Sequence, residues 1–349
     1  MTSVLTMRNG STLLLFTAIL IFMTIMSLMI GAYSIGPLSI FAILLSPITP
    51  FVGIDLTSHY TEIEETIFWG VRLPRVILGI LTGISLAIAG AAMQGLFRNP
   101  LADPGLIGVS SGAAFAAVAV IVFSGNFLGI FTLPLAAFTG GVITTLIVYK
   151  VSSKNGKTSI ATMLLAGIAI GAIASAGTGI FTYLADDAEL RTLTFWTMGS
   201  LASATWESIF SIFPLVLIAV ILLPLQARSL NAFLIGENIS GHLGFNPDKT
   251  KKQVIILSAL LVGSAVAAAG IIGFVGLVVP HLVRLITGPD HRIVLPGSML
   301  LGASFMLTAD LIARTIVSPS ELPIGIIMAI IGGPFFLWLL IHRLGRQSF

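Results

Sequence analysis

The chain has 349 residues, of which 56% are apolar and only 9% are charged, with a formal net charge of +3 and no cysteine. A soluble domain carries about 25% charged residues, so this composition excludes a water-covered surface and points to a bilayer, whose hydrocarbon needs no charge to face it. The missing cysteines exclude disulfides and thiolate metal sites.

Charge is confined to short segments. None occurs between Arg8 and Asp55, Asp103 and Lys150, Thr158 and Ala185, Gln253 and Val283, or Leu322 and Ile341. A spanning helix takes about 20 mostly apolar residues. Hydropathy and breakers place ten spans, near residues 11–34, 68–96, 105–124, 127–150, 159–184, 206–226, 252–270, 272–287, 294–317 and 323–343. The apolar run Leu13–Ile30 is too long for a cleavable signal core and reads as the first span. Residues 35–67 follow as a long external segment. The second span carries Gly79 and Gly83, and the fifth carries Gly167 and Gly171. Such small residues let helix backbones approach in lipid; in the fifth span they read either as packing or as the lining of a wide pathway. Residues 186–205 form an external or half-embedded segment. Residues 227–251 are the one sizeable cytoplasmic loop and read as short amphipathic helices. The stretch 252–287 divides at Gly270, Gly273 and Gly276, with Pro280 beyond. A single membrane domain thus occupies 1–349, with no separate soluble part.

The positive-inside rule puts both termini in the cytoplasm, with Arg8, Arg98, Lys150, Lys154, Lys157, Arg228, Lys249, Lys251, Lys252, Arg284, Arg292, Arg343 and Arg346 inside. Arg72, Arg75, Arg191 and Arg314 then lie outside, among Asp55, Glu62, Glu64, Glu65, Asp186, Asp187, Glu189 and Glu321. These four arginines break the pattern and need a reason.

No catalytic constellation is present. The histidines at 59, 242, 281, 291 and 342 lack the i,i+4 spacing of a helical metal pair. Asn155-Gly156-Lys157-Thr158 ends like a phosphate-binding loop, but the glycine required five residues before Gly156 is Val151. Any ATP-driven step therefore needs another subunit. Within the spans Asp310 is the clearest ionisable group. It precedes Arg314 by four residues, which reads as a local ion pair or as part of an ion pathway. The scarcity of buried carboxylates argues against a proton- or sodium-driven carrier, which needs a coupling-ion site at midplane, and against a membrane-embedded enzyme.

Several motifs stand in order. Arg72-Leu-Pro-Arg75 opens the second span. The run Gly90–Gly112 contains Ala-Met-Gln-Gly-Leu-Phe-Arg-Asn-Pro-Leu-Ala-Asp-Pro-Gly. Then come Gly273-Phe-Val-Gly-Leu-Val-Val-Pro-His-Leu-Val-Arg284, Asp290-His-Arg292 and Glu321-Leu-Pro-Ile-Gly325. With them the chain, from residue 68 onward, resembles the FecCD-type permease subunits of type II ABC importers for cobalamin, ferric siderophores and heme.

The resemblance implies an all-α fold of ten spans, a homodimer with the pathway at its interface, two ATPase subunits inside, and a periplasmic or lipid-anchored binding protein outside. ATP is then used on the partner subunit, and no cofactor is held permanently. By motif position Arg72, Arg75 and Arg314 match arginines that pair with glutamates of the binding protein, for which a bidentate, always charged guanidinium is suited; interfacial snorkelling is the alternative. Gly236, Glu237, His242 and Gly244 fall in the coupling helices that rest on the ATPase, or else in a solvated amphipathic loop. Where some relatives carry a Thr-Ser gate at the fifth span, this chain has Ser159-Ile160-Ala161.

The segment Leu184–Trp206 is most similar to the heme-importing branch, and a ferric siderophore or cobalamin is the alternative cargo. A pathway of Arg191, Met198, Gly171 and Ser175 suits a large apolar macrocycle. Arg191 either meets a propionate or pairs with Asp187 or Glu189; Met198 and Met163 read as thioether ligands to iron or as ordinary apolar side chains.

Overall fold

In hydrocarbon every backbone N–H and C=O must be satisfied within its own segment, so long apolar runs become helices. The computed structural model describes residues 2–47, 56–123, 129–154 and 157–347. Asp55 and Asn155-Gly156 lie outside the described residues, as do the side chains of Arg8, His342, Arg343 and Arg346. The helices are α1 (Thr2–Met29), α2 (Pro37–Leu45), α3 (Glu62–Ile67), α4 (Leu73–Phe97), α5 (Val109–Val122), α6 (Thr132–Ser152), α7 (Ile160–Leu184) and α8 (Asp187–Thr197). They continue with α9 (Trp206–Leu222), α10 (Ala227–Ile235), α11 (Glu237–His242), α12 (Pro247–Ala269), α13 (Val275–Thr287), α14 (His291–Thr315) and α15 (Ile324–Gln347).

Seven helical segments among the described residues are long and apolar enough to cross a membrane. Three shorter apolar helices, α5, α13 and the apolar part of α15, fill the remaining expected spans. The division of 252–287 falls at the glycines: α12 ends at Ala269, Gly270 has φ +70°, and α13 resumes at Val275. The external segment 35–67 is more ordered than expected. It holds α2, and α3 runs through a π-helical turn, Phe68–Arg72, straight into α4. Thr61 starts α3 with a capping box, its hydroxyl taking the Glu64 N–H while Glu64 takes the Thr61 N–H. That reciprocal pair satisfies two orphan donors and fixes the start.

Three helices form the interior. In their most apolar stretches α4, α12 and α14 are 78%, 72% and 61% buried, against 17–28% for the stretches in α1, α6, α7 and α9, whose exposed sides are free for lipid or partners. Helix α4 packs on α14, α12 and α13. Two crossings are backbone to backbone: a Cβ on Gly83 would stand 2.4 Å from the Gly302 carbonyl oxygen, and one on Gly90 1.9 Å from that of Gly276. With little hydrophobic drive between helices in lipid, such close contact supplies the cohesion.

Helix α8 begins with a second capping box, Asp186 with Glu189. Its far end inserts among the outer ends of α12, α13 and α15. There Ser200 N–H donates to Ala269 O (2.9 Å), Ile324 N–H to Gly199 O (3.0 Å) and Gly325 N–H to Met198 O (3.0 Å).

Candidate functional site at the two ends of the bundle

The outer end holds an internal charge network. The π-turn and the first turn of α4 carry Arg72 and Arg75 on inward-facing positions. Arg75 Nε donates to Asp310 Oδ1 and Oδ2 at 3.0 and 3.2 Å, Nη2 lies 2.9 Å from Asp310, and Nη1 donates to Glu321 Oε1 at 2.9 Å. Arg314 Nη2 donates to Ser27 O and Oγ at 2.7 and 2.6 Å, with Nε 3.4 Å from Asp310 Oδ2. Arg72 donates to the carbonyls of Ile30 and Tyr33, the latter at 2.6 Å, at the open end of α1. Helix C-termini offer such unpaired carbonyls and a negative dipole end, which suits a cation.

The three arginines expected to meet the binding protein are 5–7% exposed, and each is held by acceptors of its own chain. A guanidinium at this depth is too costly to leave unpaired, so the fold supplies partners. The local Asp310–Arg314 pair exists, but Arg75 is the closer partner. Three guanidiniums face two carboxylates, and only Glu321, 39% exposed, opens the network to the outside.

The pathway residues are scattered. Arg191 is exposed on α8 and is in no ion pair among the described residues, because Glu189 is engaged in the helix cap. Met198 is exposed at the end of α8, whereas Met163 is packed in the core, which removes it as a ligand. On α7, Gly171 rests against Ser111 and Ser175 is exposed, in a stripe of small residues with Ala172, Ala176 and Gly179. A cavity of about 1020 Å³ opens between α8, the outer ends of α5 and α6 and the start of α9; Glu189, Glu207 and Glu321 line it, and none of the four expected pathway residues does.

The opposite end of the bundle, expected to face the cytoplasm, is built around α10 and α11. Gly236, with φ +141°, makes the break between them, and Gly244, with φ +86°, ends the second. Leu234, Ile235, Ile239, Leu243 and His242 are exposed on this pair. The underside is anchored twice. Asn231 accepts the His291 N–H (2.8 Å) and donates to Asp290 (2.6 Å), fastening α10 to the start of α14. Glu237, its side chain 39% exposed, meets the buried Lys251 of α12 at 2.5 Å. Lys251 also donates to Thr158 O (2.8 Å), and Asp248 accepts the Thr158 N–H (3.1 Å). Ser159 caps α7, and the Thr162 hydroxyl meets its Oγ at 3.0 Å, so polar groups stand at this mouth despite the missing Thr-Ser pair.

Sequence reasoning missed Lys251, Asn231 and Gln94. Gln94 donates to the carbonyls of Gly276 and Leu277 and accepts from Arg284, joining α4 to α13. Its place in Met-Gln-Gly, and that of Arg284 in Leu-Val-Arg, were the only signals.

The profile of the FecCD transport family matches residues 19–342. The hemin transport system permease protein of Yersinia pestis is 45% identical over 285 residues, covering 81% of this chain and 85% of the relative. The cobalamin import system permease of Halobacterium salinarum is 43% identical, covering 81% and 75%. A solved structure described as an inward-facing metal-chelate type ABC transporter superposes with a TM-score of 0.83 at 32% identity, covering 95% of this chain and 99% of that one. The chain therefore belongs to the FecCD transport family.

Proposed function

We propose that this permease moves heme from a binding protein into the cytoplasm by alternating access at the interface of a homodimer. As a FecCD permease it is a multi-pass inner-membrane subunit of an ABC importer, and ATP hydrolysis is carried by a separate ATPase. The similarity to a hemin permease is the observation that carries the heme reading. The exposed small-residue stripe of α7 supports a wide interfacial pathway, since two such faces leave room for a macrocycle between them. The exposed apolar side chains of α10 and α11 support a cytoplasmic contact with the ATPase, and the charge distribution supports a reading with both termini on that side. Cobalamin is the second reading, because a cobalamin permease is almost as similar; a ferric siderophore is the third, consistent with the metal-chelate description of the solved structure.

Docking of the binding protein falls on the outer end. The surplus positive charge of the network of Arg72, Arg75 and Arg314 favours an acidic partner, which reaches it by displacing Glu321. Substituting Arg72→Glu is expected to weaken stimulation of ATPase activity by the binding protein; unchanged stimulation removes this docking role. The cargo is tested by uptake into proteoliposomes holding permease, ATPase and binding protein, comparing hemin, a ferric siderophore and cobalamin. Heme uptake is expected. Siderophore or cobalamin uptake with no response to hemin overturns the cargo assignment.

A further inference from the structure

We propose that Lys251 is a positioning residue that ties the ATPase-facing helix pair to the base of the pathway helix α7, so that a displacement of α11 is delivered to α7 through one buried ammonium. The inference rests on the reading of α10 and α11 as the ATPase contact.

Three observations carry it. First, Lys251 is 2% exposed, where a lysine is costly to hold unless its donors are occupied. Its ammonium reaches three elements: Glu237 at the first position of α11 (2.5 Å), the Thr158 carbonyl just before α7 (2.8 Å) and Asp248 on its own helix (3.6 Å). Second, the backbone of Thr158 is gripped on both sides, its carbonyl by Lys251 and its N–H by Asp248. Only Ser159 separates that residue from α7. The short antiparallel pairing of Ser153–Lys154 with Lys157–Thr158 thus hangs from α12 by a two-point clamp. Third, a cavity of about 630 Å³ opens beside the clamp, lined by Arg98, Lys154, Lys157, Thr162 and Glu237. Lys251 and Thr158 line this space as well, next to Ile160 at the start of α7, so the tie borders an opening into which this end of α7 can move.

Alternatives for the same residues are weaker. A solely structural lysine would be satisfied by Asp248 and a carbonyl of α12 itself. Here the remaining contacts go to two different segments, the first residue of α11 and the residue before the Ser159 cap of α7. The other coupling-helix anchor, Asn231 to Asp290 and His291, leads to α14, in the buried interior, and not to the exposed face of α7.

The natural chain has no cysteine, so a single Leu165→Cys substitution on the exposed face of α7 serves as an accessibility reporter. The assembled permease–ATPase complex in nanodiscs is labelled with a maleimide, with and without ATP and vanadate. The nucleotide-dependent change in labelling rate is expected to fall by about tenfold in Glu237→Gln and Lys251→Met, the size of an ordinary coupling between sites. Glu237→Asp, which keeps the carboxylate, is expected to restore most of it. The labelling comparison is made only on complexes that retain the ATPase, as checked by co-purification. A wild-type nucleotide response in Glu237→Gln overturns the proposal even where Lys251→Met fails to assemble. An Ile239→Asp, Leu243→Asp double variant separates the two readings: loss of the ATPase supports the contact surface, whereas retention refutes the coupling-helix assignment on which the inference stands.

Discussion

Removing the carboxylate of Asp310 gives a measurable test of the outer charge network. Asp310 is 1% exposed and serves two guanidiniums at once. In Asp310→Ala, Arg75 keeps Glu321 at 2.9 Å and Arg314 keeps Ser27 at 2.6 and 2.7 Å, so neither is stripped bare. Breaking a buried pair by deleting one partner costs about 3–5 kcal/mol. The retained partners place this variant near the lower bound, about 3 kcal/mol. The double variant Arg75→Met, Asp310→Leu removes both principal charges and fills the space with apolar atoms. It is expected to recover about half of the loss or more, since buried pairs replaced by well-packed hydrophobes are close to neutral. The assay is equilibrium unfolding in mixed micelles followed by tryptophan fluorescence. Stability of Asp310→Ala within about 0.5 kcal/mol of the parent, the range of an ordinary surface substitution, would refute the network's role in holding α4 to α14.

Gly83→Leu places side-chain atoms where a Cβ alone is 2.4 Å from the Gly302 carbonyl. Overpacking of this kind costs about 1–3 kcal/mol and more where backbone is struck, and reduced yield of monodisperse protein in gel filtration checks it. At Gly244 a Cβ meets nothing within 4 Å but φ is +86°. A bulky residue there is expected to cost only about 1–2 kcal/mol of backbone strain while uncoupling ATP hydrolysis from transport; normal coupled uptake would count against the coupling assignment. Asp103, in the turn between α4 and α5, accepts the Gly105 N–H at 2.7 Å, yet burial outweighs that bond and pushes its carboxyl up from the usual range. A raised folded-state pKa contributes stability below the ordinary carboxylate value of about 4 and loses it as pH rises through the folded value. Asp103→Asn keeps the acceptor and removes the titration, so its thermal stability relative to the parent is expected to rise between pH 4 and pH 7; a constant difference would disprove the assignment.

Much of the fold was legible because a bilayer imposes a coarse code. Uncharged gaps mark helices, and glycines mark where they break, as at Gly270. The proposed orientation rests on lysines and arginines that need no partner to be counted. What escaped was pairing across the bundle. Asp310 and Arg314 announce themselves four residues apart, but Arg75 lies 235 residues from Asp310 and its approach depends on how α4 crosses α14. Lys251 and Glu237 are fourteen residues apart, a spacing that matches no helical neighbour rule. The helices within 35–67 escaped for a different reason: the π-turn that carries α3 into α4 has no local signature. The stretch 186–205, read as half-embedded, could not show which backbone it would meet.

That meeting has a consequence for exchange with solvent. Residues 198–200, Ala269 and residues 324–325 come from separate stretches of chain and share backbone hydrogen bonds across the ends of helices. Amides at and beyond helix ends have no partner within their own helix and ordinarily trade their protons quickly. Here those of Ser200, Ile324 and Gly325 donate to the carbonyls of Ala269, Gly199 and Met198, so their protection is tied together. In deuterium uptake this seam is expected to exchange as one slow group, although its three stretches of backbone lie far apart in the chain.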